Sequence, residues 1–128
     1  MTELHSRQFI EAIHAEQLRL HGGAPGIRSE DMLELALARP LQKLAYGQPD
    51  LCELAAAYLF GLTKNHPFVD GNKRTAFAAA DLFLYFNGLS LEAPQEDVIH
   101  LVSMVSASQI DEAGAAAFFR DHVVPVPD

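Results

Sequence analysis

The sequence predicts an all-α protein, a compact single-domain bundle of about six helices covering residues 1–128. Apolar residues recur along most of the chain at the three-and-four spacing of a buried helix face. Glycine and proline interrupt this spacing at intervals that suit short helices. No stretch shows the sustained alternation of a strand, and 49% hydrophobic residues suffice for one packed core.

The first two helices are predicted mainly from their ends. One helix is expected over about residues 5–20, because the glycine- and proline-rich run 21–26 must end it. Ser29 is suited to cap a second helix, and Pro40 is expected to limit its far end, which makes that helix short. Between 41 and 48 the pattern fits either a helical turn or a small extended flap.

The next two helices have the clearest patterns. Asp50 and Glu53 have the spacing of a capping box, and the wide apolar stripe behind them must end before Pro67. Another helix is predicted to begin near Asn72 and to end at the Asn-Gly pair 87–88. Its run TAFAAADLFLYF is apolar nearly all round, so we expect this helix to be the centre of the bundle.

Two further helices are expected in the last third of the chain. Pro94 suits the first turn of one, and Ser108 can begin the other, which continues through Ala117 and Phe118. The tail VVPVPD, residues 123–128, is expected to be loosely held.

Charge limits the classes of partner. Nine Lys and Arg against 17 Asp and Glu leave a formal charge of −8, which disfavours binding to a nucleic acid backbone. Positive charge concentrates at Lys64, Lys73 and Arg74, which indicates an anion site in an otherwise acidic protein. No run of about 20 apolar residues is present and the first residues are too charged for a secretory signal, so we expect a cytoplasmic protein without membrane contact. The single cysteine, Cys52, is expected in the core.

The segment HPFVDGNKRT, residues 66–75, carries the candidate chemistry. It leads into a helix N-terminus, where free backbone N–H groups and the positive end of the helix dipole attract anions. Gly71 allows the backbone to turn its N–H groups toward a phosphate, and Lys73 and Arg74 add full positive charge. Phosphate is therefore the expected ligand.

Two further side chains supply what phosphate transfer requires. Asp70 can hold a magnesium ion, which commonly uses one or two carboxylates together with phosphate oxygens. His66 titrates near neutral pH, which suits a general base. Structural interpretations stand beside these: His66 could cap the preceding helix, Asp70 and Gly71 could form a turn, and Asn72 could cap the next helix. The functional interpretation is favoured because complementary groups all fall within ten residues.

For the other histidines and for Phe68, the sequence predicts only where the side chain lies. Phe68 is expected to anchor the loop in the core, and His14 is expected near the site. The remaining histidines are predicted at the surface: His5, His21, His100 and His122.

The run HPFVDGNKRTA resembles the signature of the Fic and Doc superfamily, in which a His-x-Phe opening leads into an Asn-x-Arg phosphate loop. The likeness, to the death-on-curing (Doc) branch, covers most of the chain up to about Leu91. It implies a Fic-fold helical core in which His66 activates a target hydroxyl and Asp70 binds magnesium. It also implies that the phosphates of ATP are bound, and their transfer assisted, by Gly71, Asn72, Lys73 and Arg74.

Lys73 bears on the type of transfer. Adenylyl-transferring members of the superfamily usually carry glycine between the Asn and the Arg, whereas Doc-like proteins carry lysine. The resemblance therefore implies the toxin of a toxin-antitoxin pair, a kinase that moves the γ-phosphate of ATP to a Ser or Thr hydroxyl of translation elongation factor Tu and so blocks translation. It also implies an antitoxin whose C-terminal segment folds into a groove on the toxin. The alternatives are an adenylyl transferase of the same fold and a catalytically silent peptide-binding module.

Overall fold

Six α-helices and two three-residue strands form in the computed structural model, which describes residues 1–127. The prediction of an all-α bundle of about six helices is confirmed, with a small antiparallel sheet added to it. In chain order the elements are α1 (Arg7–His21), α2 (Glu30–Tyr46), α3 (Leu51–Asn65), α4 (Asn72–Phe86), β1 (Leu89–Leu91), α5 (Gln95–Ser106), α6 (Glu112–His122) and β2 (Val123–Pro125).

The central helix of the bundle is α3, not α4. Ten of its 15 residues are buried, and it packs against α2, α4, α5 and α6. The prediction that α4 is central was wrong because its apolar residues do not all enter the core. Phe77 and Ala78 are only partly buried, since they line an open cleft beside α5.

Both ends of α3 lie where the sequence predicts them. Asp50 accepts a hydrogen bond from the Glu53 N–H at 2.7 Å, and the Glu53 carboxylate accepts one from the Asp50 N–H at 3.2 Å. This is the expected capping box. The helix ends at Asn65, two residues before Pro67. Cys52 is buried within α3, as predicted.

Pro40 does not end α2, and the prediction of a short second helix was wrong. Ser29 caps α2 as expected, but the helix continues to Tyr46 and is 17 residues long. Proline removes one N–H from the ladder, whose acceptor would be the Ala36 carbonyl. Pro40 and Ala36 are both buried against the bundle, so packing outweighs the missing bond. The helical alternative for residues 41–46 is therefore correct, and the flap is not present there.

The start of α6 also differs from the prediction. Asp111, rather than Ser108, caps this helix, and its carboxylate accepts a hydrogen bond from the Gly114 N–H at 2.8 Å. Ser108 has a left-handed backbone, with φ of 62°, and lies in the turn that follows α5. Pro94 precedes α5 directly, at its N-cap position.

The tail after α6 is held by hydrogen bonds through Val126, which contradicts the expected loose tail. β2 pairs antiparallel with β1, and the Val126 N–H donates to the Gly88 carbonyl at 2.9 Å. Gly88, with φ of 96°, lies in the turn that leads from α4 into β1. The last residue of the predicted tail, Asp128, lies outside the described residues.

No helix among residues 1–127 combines the length and the apolar character that a membrane-spanning helix requires.

Gly61 of α3 lies close to the backbone of α2. A Cβ atom added there would lie 3.4 Å from the Cα atom and from the carbonyl oxygen of Ala36. We expect Gly61→Leu to lower the free energy of unfolding by about 1–3 kcal/mol or more, because its side chain must displace the α2 backbone. Gly61→Ala is the matched control and should stay within about 1 kcal/mol of the wild type, because a gain in helix propensity offsets the tight contact. Urea denaturation measures both changes, and equal stability of the two variants would contradict this packing.

Candidate active site in the cleft between α4 and α5

Two loops that are distant in sequence are joined by backbone hydrogen bonds at the candidate site. The α3–α4 loop, residues 66–71, lies against the segment 24–29 that connects α1 with α2. The N–H groups of Arg28 and Ser29 donate to the Pro67 carbonyl at 2.7 and 3.1 Å. The Val69 N–H donates to the Gly26 carbonyl at 3.0 Å, beside an isolated β-bridge between Ile27 and Phe68. The conformation of loop 66–71 therefore depends on its hydrogen bonds with segment 24–29.

His66 has an unusual backbone and an exposed side chain. Its φ and ψ of 50° and 54° are left-handed, a conformation that costs a non-glycine residue about 1–3 kcal/mol. The Arg28 guanidinium offsets this by donating to the carbonyls of Asn65 at 2.9 Å and of His66 at 2.6 Å. Arg28 thus caps the carbonyl end of α3, and the His66 ring has no hydrogen-bond partner among the described residues.

Asn72 fixes the loop with both halves of its side-chain amide. Its oxygen accepts from the Phe68 N–H and its nitrogen donates to the Phe68 carbonyl, each at 2.9 Å. Asn72 is buried, and α4 has no side-chain cap, because Gly71 occupies the N-cap position. Asn72 therefore does not cap α4 through its side chain. An anion would meet its backbone N–H, since the amide is already paired.

His14 of α1 contacts the same loop at Phe68 and Asp70. Its ring stacks on the Phe68 ring at 3.8 Å between centroids and 9° between planes. Its Nε2 lies 2.8 Å from the Asp70 carbonyl oxygen, and because a carbonyl only accepts, Nε2 carries the proton. Phe68 is 1% exposed, so its predicted role as a core anchor is confirmed, as is the position of His14 near the site.

Asp70 and Gly71 turn the chain into α4. The Asp70 carboxylate is exposed, and its Oδ2 accepts a hydrogen bond from the Ala24 N–H at 2.8 Å. Gly71 has φ of 78°, and a Cβ atom there would lie 3.3 Å from the Leu18 side chain. Glycine is required at this position for both reasons. The chain thus bends at Asp70, and the Asp70 carboxylate is exposed to solvent beside the helix N-terminus.

The first turn of α4 has free backbone donors. The first helical hydrogen bond runs from the Thr75 N–H to the Gly71 carbonyl at 3.0 Å. The N–H groups of Asn72, Lys73 and Arg74 precede it and have no acceptor within the helix. The positive end of the helix dipole lies at the same place.

Lys73 and Arg74 differ from the other seven cationic side chains of the chain. Arg28 and Lys64 donate to carbonyl or hydroxyl oxygens. The other five form ion pairs with carboxylates: Arg7, Arg19, Arg39, Lys43 and Arg120. Within residues 1–127, Lys73 and Arg74 make neither kind of contact. Positive charge without a partner is therefore concentrated at the N-terminus of α4.

An open cleft of about 870 Å³ contains this region and separates the N-terminal part of α4 from α5. Its polar end holds His66, Asp70 and the first turn of α4, which are the residues predicted from the sequence. The far end of the cleft, which Asp81 lines together with apolar side chains of α4 and α5, was not predicted from the sequence. No group of three or more histidine, cysteine or acidic side chains arranged to hold a metal ion occurs in the described part of the chain.

The remaining histidines divide into two pairs. His21 and His100 are exposed, as predicted, and His21 borders the cleft. The prediction was wrong for His5, whose ring is partly buried and hydrogen-bonded to the Ala79 carbonyl at 2.8 Å; burial lowers its pKa. It was also wrong for His122, which is partly buried and stacked on Phe118.

Comparison with known proteins gives a family match for the part of the chain that forms this site. Residues 4–84 match the profile described as the Fic/DOC family. The chain is 49% identical over 75 residues to a protein named Toxin Doc from Mycolicibacterium smegmatis, covering 56% of this chain and 57% of that protein. It is 37% identical over 87 residues to Protein kinase doc of Escherichia phage P1, covering 67% of this chain and 69% of that protein. The match therefore spans just over half the length of the mycobacterial relative.

The contact between His14 and Asp70 can be tested separately from the stack. We expect His14→Phe to keep an aromatic ring against Phe68 and to leave the Asp70 carbonyl without its donor. The free energy of unfolding should fall by about 1–3 kcal/mol, and the Val69 N–H should exchange faster with solvent. His21→Phe, at the exposed end of the same helix, is the matched control and should change neither. Chemical denaturation and hydrogen exchange measure the two effects, and unchanged exchange at Val69 would show that His14 does not hold the loop.

Proposed function

Because the chain belongs to the Fic/DOC family, we propose that it is a Doc-type toxin that transfers the γ-phosphate of ATP to a Ser or Thr hydroxyl of a cytosolic protein. The observation that carries this proposal is that one cleft contains an exposed His66 and the two cations of α4, all without a side-chain partner within residues 1–127. The names of the two relatives support it, one as a toxin and the other as a protein kinase.

The phosphates of ATP would bind at the start of α4. Free N–H groups of the first turn and the helix dipole favour an anion there, and Lys73 and Arg74 supply the compensating charge. Arg74 can hold two phosphate oxygens at once through its planar guanidinium. No ion pair has to be broken first, because neither side chain has an acidic partner among residues 1–127.

His66 would act as the general base. The acceptor hydroxyl gives its proton to the His66 ring while its oxygen attacks the γ-phosphorus. The bond between the γ-phosphorus and the bridging oxygen then breaks, and ADP leaves with the electron pair of that bond. The ring is available for this role because Arg28, and not His66, satisfies the last carbonyls of α3.

Asp70 fits a magnesium ion that arrives with the nucleotide. Magnesium is commonly held by one or two carboxylates together with phosphate oxygens and water, so a single exposed carboxylate beside the phosphate site is sufficient. The hydrogen bond from the Ala24 N–H to Oδ2 orients the Asp70 carboxylate. The bound ion would offset charge that develops on the phosphate oxygens.

The proposed acceptor is translation elongation factor Tu, and the proposed regulator is an antitoxin. Both follow from the resemblance to Doc proteins and make the chain an inhibitor of translation. The apolar part of the cleft beside α5 and the acidic surface suit a partner segment with apolar and basic residues. Such a segment would cover His66 and the phosphate site together.

The transfer is tested with ATP labelled at either the α- or the γ-phosphate. Incubation with elongation factor Tu should transfer the γ-label, and His66→Ala should lower the rate by about 10²–10⁴-fold while ATP binding persists. His100→Ala removes an exposed histidine on α5 and is the control that should keep wild-type activity. Transfer of the α-label would indicate an adenylyl transferase instead. Binding of elongation factor Tu without transfer of either label would indicate a silent peptide-binding module.

Expression in a bacterial host tests the proposed toxicity. The wild-type protein alone should arrest growth, because a modified elongation factor stops translation. Co-expression with the neighbouring reading frame should restore growth, and His66→Ala should be harmless in both settings. Healthy growth at high wild-type levels without a partner would contradict the toxin assignment.

A further inference from the structure

Asp81 lies on the same face of α4 as the proposed phosphate site. It follows Arg74 by seven residues, which is about two helical turns and about 10 Å along the helix axis. Phe77 and Ala78 lie between them on this face, and all four residues line the cleft. One ligand can therefore contact the start of α4 and Asp81 together.

The Asp81 carboxyl is partly buried and has no partner among the described residues. No hydrogen bond or ion pair to it forms within residues 1–127. Burial raises its pKa, and the α5 residues that line the same cleft are uncharged and include Val98 and Val102. An unpaired carboxylate in such surroundings destabilises the free protein. A ligand that donates hydrogen bonds to Asp81 would offset this unfavourable desolvation.

We propose that Asp81 is a specificity-determining residue that accepts hydrogen bonds from the nucleoside half of the bound nucleotide. The donors are the ribose hydroxyls or the amino group of the base, while the start of α4 binds the phosphates. This inference rests on the proposed function and extends it from the phosphates to the rest of the nucleotide.

The chemistry of the cleft favours a nucleoside over a basic side chain of a protein partner. A nucleotide carries its anionic groups at one end and neutral donors at the other, which matches the order of Arg74, the apolar residues and Asp81 along α4. The apolar surface between them suits the faces of a base. A lysine or arginine at Asp81 would bring a second charge into a partly desolvated site, and its desolvation would oppose binding.

Binding of ATP and of inorganic triphosphate, each with magnesium, separates the two ends of the cleft. We expect Asp81→Asn and Asp81→Ala to weaken ATP binding roughly tenfold and to leave triphosphate binding unchanged, because only ATP carries the donors. Asp121→Asn, an exposed acid of α6, is the matched control and should alter neither affinity. Isothermal titration calorimetry gives both dissociation constants.

Two analogues distinguish the source of the donors in the wild-type protein. Loss of affinity for 2′,3′-dideoxy-ATP assigns the contact to the ribose, and loss for inosine triphosphate assigns it to the amino group of adenine. Either result supports the inference when the Asp81 variants no longer discriminate against that analogue. Discrimination that persists in Asp81→Asn and Asp81→Ala overturns it.

The outcomes also separate this inference from the proposed function. Tight triphosphate binding together with equal ATP affinity in wild type and Asp81→Asn overturns the role of Asp81 and leaves the phosphate site standing. Normal ATP affinity in the variant with reduced phosphorylation of the acceptor protein assigns Asp81 to a protein partner and also overturns the inference. Absence of ATP and triphosphate binding in the wild type overturns both.

Thermal unfolding of the free protein tests whether a loss of ATP affinity in the Asp81 variants reflects misfolding. A raised carboxyl pKa means that ionisation weakens the folded state as the pH rises above the ordinary value of 3.8. Asp81→Asn should therefore raise Tm at pH 7, and the gain should shrink as the pH falls toward that value. The charged and titratable groups that share the cleft are His21, His66, Asp70, Lys73 and Arg74, and α5 adds only neutral polar groups. A lowered Tm at pH 7 would mean that Asp81 has a structural role instead, which overturns the inference.

Discussion

The pairing of segment 24–29 with loop 66–71 determines the geometry of the candidate site. Three backbone hydrogen bonds and the Arg28 side chain join these segments. The backbone bonds hold the loop at Pro67 and Val69, next to His66 and Asp70, which have proposed roles. Arg28 stabilises the left-handed backbone at His66, and the Ala24 N–H orients the Asp70 carboxylate. Without this pairing, the strained conformation at His66 would have no compensating contact, and the histidine and the carboxylate would not be held beside the start of α4.

The distribution of charge gives the cleft a local character opposite to that of the whole protein. The chain carries a formal charge of −8, yet the start of α4 holds two cations without acidic partners among the described residues. Arg7, Arg19, Arg39 and Arg120 pair with acids, and Arg7 does so with three glutamates. Acidic surroundings weaken non-specific attraction to nucleic acids and leave a short-range anion site. The proposed recognition of phosphate would therefore depend on the backbone geometry of one helix end.

Interactions within a few residues of each other were predictable from the sequence, and long-range interactions were not. Asp50, Glu53 and Pro67 act locally, so both ends of α3 were predicted correctly. Pro40 also gives a local signal, but tertiary packing outweighs it, since the residue is buried in a helix held on α3. Arg28 reaches carbonyls 37 and 38 residues away, and no pattern near it indicates those contacts. The seven-residue spacing from Arg74 could have placed Asp81 on the same helix face, but the apolar residues around it concealed the signal.

Several locally unfavourable features lie around this one cleft. His66 has a left-handed backbone, Asp81 is an unpaired and partly buried acid, and Lys73 and Arg74 have no counter-charge within residues 1–127. Each feature either lowers the stability of the free protein or leaves a charged group without a counter-charge. The core around α3, by contrast, is fully buried. Such departures from local rules are expected where a protein keeps binding capacity for a ligand. A ligand with anions at one end and neutral donors at the other would satisfy the cations and the acid together, so its binding would both stabilise the protein and use the whole length of the cleft.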